Sequence, residues 1–427
     1  RSTQVTNDKR DKTNTVTNPL KEINPKKDVT VQVGGDSIDG KSVYLNHTFL
    51  YRLDSSILPP DRAYQTVTDW GGTDQLATEY DQYLGNWAVY ASRDLYRDGQ
   101  VLAARGEKIA GSGFDSSKFG GNLFAVDADG NGKVTVNATQ AYLDLVSADN
   151  EHEAGWVLYL QCKRIAVADE VPNTWTETIN GQPRESNKVV TKTPDMTPSI
   201  HLEKVDTPTL KQDGQEQADR DGPKQALKMD ADNIGITFII TNTSKTDPAT
   251  GDGAWYKASD LNLADSTIVG DAHVDMDSLT YPDNWDTLVL KPGESVSVTG
   301  TLKGVKEGDT HTDRAIVTGT PLVECAPSNG DPFNDKTDGG EDTDPEYSTG
   351  DVTEIDGKQL CADTQTTSNT DDWNGYRAKP LASTGVAVLG LAGGALAVLL
   401  AGGSLLVFRK RHRAQGSGRH TSVNAGK

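Results

Sequence analysis

The stretch Lys26-Lys27-Asp28-Val29-Thr30-Val31-Gln32-Val33 decides the fold class. Lys27, Val29, Val31 and Val33 recur every second residue, so an extended chain puts all four on one face. A helix would scatter them around its circumference. The same period returns in Thr48–Leu53, where Phe49, Tyr51 and Leu53 align, and in Asn233–Asn242, where Ile234, Ile236, Phe238 and Ile240 align. Glycine- and aspartate-rich turns such as GGDSIDG (34–40), DADGNGK (127–133) and KPGE (291–294) separate these runs. The pattern predicts an all-β chain of tandem sandwiches.

Outward from that stretch, a first module is expected over residues 21–198, closing at the linker KTPDMTP, and a second over 199–324. Residues 325–380 are rich in Asp, Thr, Gly and Ser and read as an acidic, disordered stalk. Residues 1–20 read as the end of a preceding domain, with Asn14 placed as a cross-link acceptor for it. The chain opens at Arg1 without a secretory leader and is read as the tail of a longer polypeptide.

The tail carries an address. Leu381-Ala382-Ser383-Thr384-Gly385 precedes the apolar run Val386–Phe408, which the basic cluster Arg409–Arg413 follows. At about 1.5 Å per residue that run reaches roughly 34 Å as a helix, enough to cross a ~30 Å hydrocarbon layer. Basic residues hold the C-terminus on the cytoplasmic side. The array resembles the sorting signal of Gram-positive wall proteins, cleaved between Thr and Gly by sortase. That resemblance implies an acyl-enzyme at Thr384 and transfer to peptidoglycan. Ala382 stands where most such signals have Pro, as in the variant of high-GC Gram-positives, which implies an actinobacterial host.

Composition narrows the remaining functions. The 427 residues carry 62 acidic and 42 basic side chains, a net charge of -20, which opposes nucleic acid as a partner. Cys162, Cys325 and Cys361 are too few for a disulfide framework or a thiolate zinc site. Cys162 reads as a buried small hydrophobe, and Cys325 and Cys361 can pair if the protein is exported. Asp127, Asp129 and Asn131 imitate the start of a calcium loop, but Ala138 occupies the position of its bidentate carboxylate, so a polar turn is the preferred reading and no cofactor is expected. Asn46-His47-Thr48 matches a glycosylation acceptor but falls inside a strand pattern. No nucleophile stands with a base in an elbow motif, and no enzymatic turnover is expected.

Lys27 raises the chemical question. Its face is that of the valines, and a lone buried ammonium is costly unless it loses its proton or gains a partner. Lys26 is a rival amine on the opposite face. Asn187 shares parity with Val189 and Asp69 with Val67, so amine, amide and acid are expected on inward faces. Burial of such a set favours a neutral amine that attacks the amide carbonyl, polarised by a protonated acid, with ammonia leaving.

The runs INPKKDV, SVYLNHTFLYRL, YLQCKRIAV and NTWTETINGQPRESNKVVTKTP resemble, in order, the C-terminal stalk domain of the antigen I/II adhesins. The resemblance implies a variant immunoglobulin-like fold with an intramolecular isopeptide bond between Lys27 and Asn187, assisted by Asp69, with Trp70 in the aromatic position after the acid. In the second module Lys204, Asp265 and Asp313 share parity with apolar neighbours, and a second cross-link is weighed against ordinary solvated residues. The function expected is the stalk and wall anchor of an adhesin whose ligand binds upstream domains, with sortase and peptidoglycan as partners. A spacer of a wall-bound hydrolase and a pilus subunit are the alternatives.

Overall fold

A computed structural model describes residues 24–62, 66–208, 210–212, 215–216, 219–326, 333 and 352–380. The sorting array at 381–427 and Asn14 lie outside the described residues. Among the described residues no helix is long and apolar enough to cross a membrane.

The first module begins with β1 (Lys26–Thr30), β2 (Thr48–Asp54), β3 (Trp70–Gln75) and β4 (Asp81–Ala91). A hairpin of β5 (Leu95–Arg97) and β6 (Gln100–Ala103) precedes β7 (Lys108–Gly111), β8 (Phe124–Ala128) and β9 (Lys133–Ala138). Helix α1 (Gln140–Ala148) then leads to β10 (Trp156–Arg164), β11 (Ala168–Asn173), β12 (Trp175–Ile179), β13 (Gln182–Glu185) and β14 (Val189–Thr193). One sheet runs β1-β2-β10-β4-β7 and the other β13-β12-β3-β9-β8, with β11-β14 as a separate ladder. Trp70, Trp156, Trp175, Phe124 and Tyr142 fill the space between the sheets. Helix α1 was not expected; it buries Tyr142, Leu143 and Val146, one face of about two and a half turns.

The opening stretch behaves as its alternation predicts only in part. Lys27 and Val29 are buried at 3% and 0% exposure, but the strand ends at Thr30 and Val31 is 37% exposed. In β2 the alternation is masked, because Leu50 is buried as well. It faces a second apolar cluster with Tyr90, Val157, Tyr159 and Phe333 on the sheet's outer side.

The second module contains β15 (Ile200–Thr207), a hairpin of β16 (Lys211–Gln212) and β17 (Gln215–Glu216), β18 (Leu227–Lys228) and β19 (Asn233–Asn242). It continues with β20 (Tyr256–Lys257), β21 (Asn262–Val269), β22 (His273–Val274), β23 (Val289–Leu290), β24 (Ser295–Lys303) and β25 (Thr310–Gly319). Last come β26 (Leu322–Glu324), β27 (Thr353–Ile355), β28 (Lys358–Ala362), β29 (Thr366–Thr367) and β30 (Asp371–Tyr376). The sheets are β15-β19-β24-β22 and β18-β30-β25-β21. In β19 the predicted face is kept throughout: Ile234, Ile236, Phe238 and Ile240 are all buried.

The expected stalk needs correction. Residues 352–379 carry four strands, and β30 sits inside the second module's sheet, between β18 and β25. Its Trp373 is fully buried and donates from Nε1 to Asp206 Oδ1 at 2.6 Å, while Arg220 Nη2 donates to Asp206 Oδ2 at 2.8 Å. Average polarity hid this because a single short strand with one buried tryptophan suffices to complete the sheet between β18 and β25. Cys325 and Cys361 form a disulfide that fastens β28 next to β26. The second module therefore extends to about residue 379.

Candidate functional site: a buried lysine, aspartate and asparagine

Strand β1 pairs with β2, and Lys27 lies opposite Leu53, so its side chain points between the sheets. Its Nζ donates to Asp74 Oδ2 on β3, and both side chains are fully buried. The aromatic face of Tyr51 lies 4.6 Å from that ammonium. Asp74 stands opposite Trp175 of β12, two residues beyond Asn173 at the end of β11. The Asn173 carboxamide lies close enough to Asp74 to favour its ionised form, yet neither its nitrogen nor its oxygen completes a hydrogen bond. Asp74 Oδ1 completes none either. Three polar groups that are buried and incompletely satisfied are costly and demand an explanation.

Burial lowers the Lys27 ammonium below its ordinary range, with Asp74 opposing, and burial raises the Asp74 carboxyl, with Lys27 opposing. Both shifts favour a neutral amine beside a carboxylic acid. A carboxylate nearby keeps the pocket ordered: Asp81 accepts from Tyr51 Oη and from Arg164 Nε, each at 2.7 Å. Arg164 also donates to Thr193 Oγ1 at 2.6 Å and to Thr191 Oγ1 at 2.7 Å, tying β10 to β14. Cys162 is buried and unpaired in this wall. Amine, acid and free carboxamide are the reactant set for forming a side-chain amide.

The expected partners of Lys27 are placed differently. Asn187 is exposed, and its side chain brackets the Lys27 backbone, accepting from its N–H and donating to its C=O, both at 2.9 Å. Parity with Val189 fails because β14 begins only at Val189. Asp69 precedes β3 and accepts from the Gly181 N–H at 3.1 Å, in a turn away from Lys27. A strand counted from Trp70 instead puts Trp70, Gly72 and Asp74 on one face, and Val171 and Asn173 share parity across Pro172. Both signals were present, hidden by the Gly71-Gly72 pair and by a proline that reads as a turn.

The other predicted groups fall out as follows. Lys204 lies between Asp265 and Asp313 in the second core. Asp129 Oδ1 accepts from Asn131 N at 2.7 Å and Lys133 N at 3.1 Å, so it caps a hairpin turn, while Asp127 lies on β8. Among the described residues no group of three or more His, Cys, Asp or Glu is arranged to hold a metal.

Fold and pocket together define a class: a β-sandwich with a lysine, an acid and an amide sealed in its core. Residues 24–194, which hold the first module, match the family model described as cell surface antigen C-terminus. A stretch of 195 residues is 35% identical to aggregation substance of Enterococcus faecalis, covering 45% of this chain and 14% of that protein. Among solved structures, the C-terminal domain of the Streptococcus pyogenes antigen I/II-family protein AspA is similar at 27% identity and a TM-score of 0.35, over 40% of this chain and 47% of that one. The C-terminal domain of the Streptococcus agalactiae antigen I/II polypeptide BspA matches at 22% identity and a TM-score of 0.34, over 40% and 50%. The chain thus spans only a small part of its curated relative.

Proposed function

We propose that this chain is the stalk and wall anchor of a bacterial surface adhesin, and that its first module is welded by an isopeptide bond between Lys27 and Asn173 with Asp74 as the assisting acid. The single observation that carries the weld is the fully buried Lys27–Asp74 pair beside a carboxamide with no completed hydrogen bond. In the neutral state the Lys27 amine attacks Asn173 Cγ, and Asp74 protonates the carbonyl oxygen. Asp74 then takes the amine proton, passes it to the departing ammonia, and recovers its own proton from the oxygen as the carbonyl re-forms. The bond ties β1 to the far end of β11, so force applied along the chain bypasses the hydrogen-bonded ladders between them. Anchoring rests on Leu381-Ala382-Ser383-Thr384-Gly385 and the apolar run behind it, as a sortase substrate joined to peptidoglycan. Ligand capture belongs to parts of the protein beyond this chain. The family model matched by residues 24–194 is described as a cell surface antigen C-terminus, which favours this reading over a hydrolase spacer.

The intact mass of the chain tests the weld. It is expected to fall short of the sequence value by one ammonia for this site, and Lys27→Ala or Asn173→Ala is expected to restore it. A chain retaining that ammonia would remove the proposal.

A further inference from the structure

The second module encloses a lysine between two carboxylates. Lys204 lies on β15, the module's first strand, and its Nζ is 2.5 Å from Asp265 Oδ2 and 2.6 Å from Asp313 Oδ1. The side chains of Lys204 and Asp313 are fully buried, and that of Asp265 is 2% exposed. Asp265 and Asp313 come from the neighbouring strands β21 and β25, opposite Ala315 and Thr267, so both reach the amine from one sheet while Lys204 reaches from the other. His311 Nε2, also buried, is 3.2 Å from Asp313 Oδ2. The Phe238 ring closes the remaining side, 5.4 Å from the ammonium.

One ammonium and two carboxylates in a dry core leave an uncompensated charge unless a proton is held among them. Burial pushes the Asp265 carboxyl up to about 6, with Lys204 pulling it down and Asp313 adding to the rise. Asp265 accepts a hydrogen bond from Lys204, whereas neither oxygen of Asp313 completes one although Nζ is in contact with it. Asp313 is also on an interior strand and Asp265 on the edge strand β21.

We propose that Lys204 and Asp313 condense into a side-chain amide that joins β15 to β25 across the core of the second module, with Asp265 as the proton carrier. The Lys204 Nζ–Asp313 Cγ bond forms, one Cγ–O bond of Asp313 breaks, and that oxygen leaves as water. Asp265 gives its proton to the Asp313 carbonyl oxygen during attack and recovers one from the amine, ending unchanged. No oxidant or cofactor enters. The condensation removes a pair of opposite charges from an apolar core, and the pocket excludes the water that would reverse it. The site lies outside the matched family segment and does not depend on Lys27.

Tandem mass spectrometry of a proteolytic digest of the whole chain tests this apart from the first site. The expected result is a branched peptide pair joined at Lys204 and Asp313 and lacking one water. Asp313→Asn is expected to give the same branched product, because ammonia then leaves in place of water. Asp265→Asn is expected to leave Lys204 and Asp313 unlinked in a chain that still carries the first module's deficit. Unlinked Lys204 in the unmutated chain, or a branch at Asp265, would overturn the assignment.

Discussion

Two amides near Lys27 do different work, and their placement separates structure from chemistry. Asn187 braces the Lys27 backbone from the surface, whereas Asn173 meets the buried acid. Asn187→Ala is expected to cost about 1–2 kcal/mol for two partly buried hydrogen bonds, while the chain keeps its ammonia deficit. Denaturant unfolding combined with intact mass checks both parts, and loss of the deficit would return the acceptor role to Asn187. Lys27 itself was legible from the sequence, since inward parity with Val29 needs only a short strand. Its partners were not, because parity counted from Val67 or Val189 crosses strand ends that lie at Trp70 and Val189. Counting outward from a large aromatic certain to be buried, such as Trp70, recovers Asp74.

Among the elements, β30 shows how a polar composition conceals a structural strand. Its Asp371, Trp373, Asn374 and Gly375 are buried, and Gly375 is required because a Cβ there would meet the Trp373 ring at 2.5 Å. Trp373→Ala is expected to destabilise the second module by about 3–5 kcal/mol, read as a shift of its urea midpoint; an unchanged midpoint would return residues 352–379 to a stalk. The same region sets a pH response. Burial together with the charge of Asp371 raises the Asp221 carboxyl to about 7, and burial raises Asp371 to about 6, against an ordinary value of 3.8. Between those limits the folded chain binds more protons than the unfolded one, so these groups make stability fall as pH rises from about 4 to 7. Melting is therefore expected at lower temperature near pH 7.5 than near pH 5, and Asp221→Asn is expected to flatten that difference. A slope unaltered by the substitution would show that the cluster contributes nothing.

For the whole molecule, the all-β class was legible because alternation survives wherever one face of a strand is buried. The second module's boundary was not, since it depends on a strand that returns after a long polar excursion. The modules meet through side chains that are unremarkable in sequence: Ser42 donates to Asp247 at 2.8 Å, and Tyr44 donates to Asp252 at 2.9 Å, which also pairs with Lys358. The proposed weld in the first core and the proposed Lys204–Asp313 amide in the second would each tie strands distant in sequence, which suits a chain loaded in tension. The most direct measurement of the central claim is a crystal structure of the chain at a resolution that separates bonded from non-bonded atoms. Continuous density at amide length from Lys27 Nζ to Asn173 Cγ, with Asp74 alongside, is the predicted result. A free Lys27 ammonium and an intact Asn173 carboxamide in van der Waals contact would contradict it.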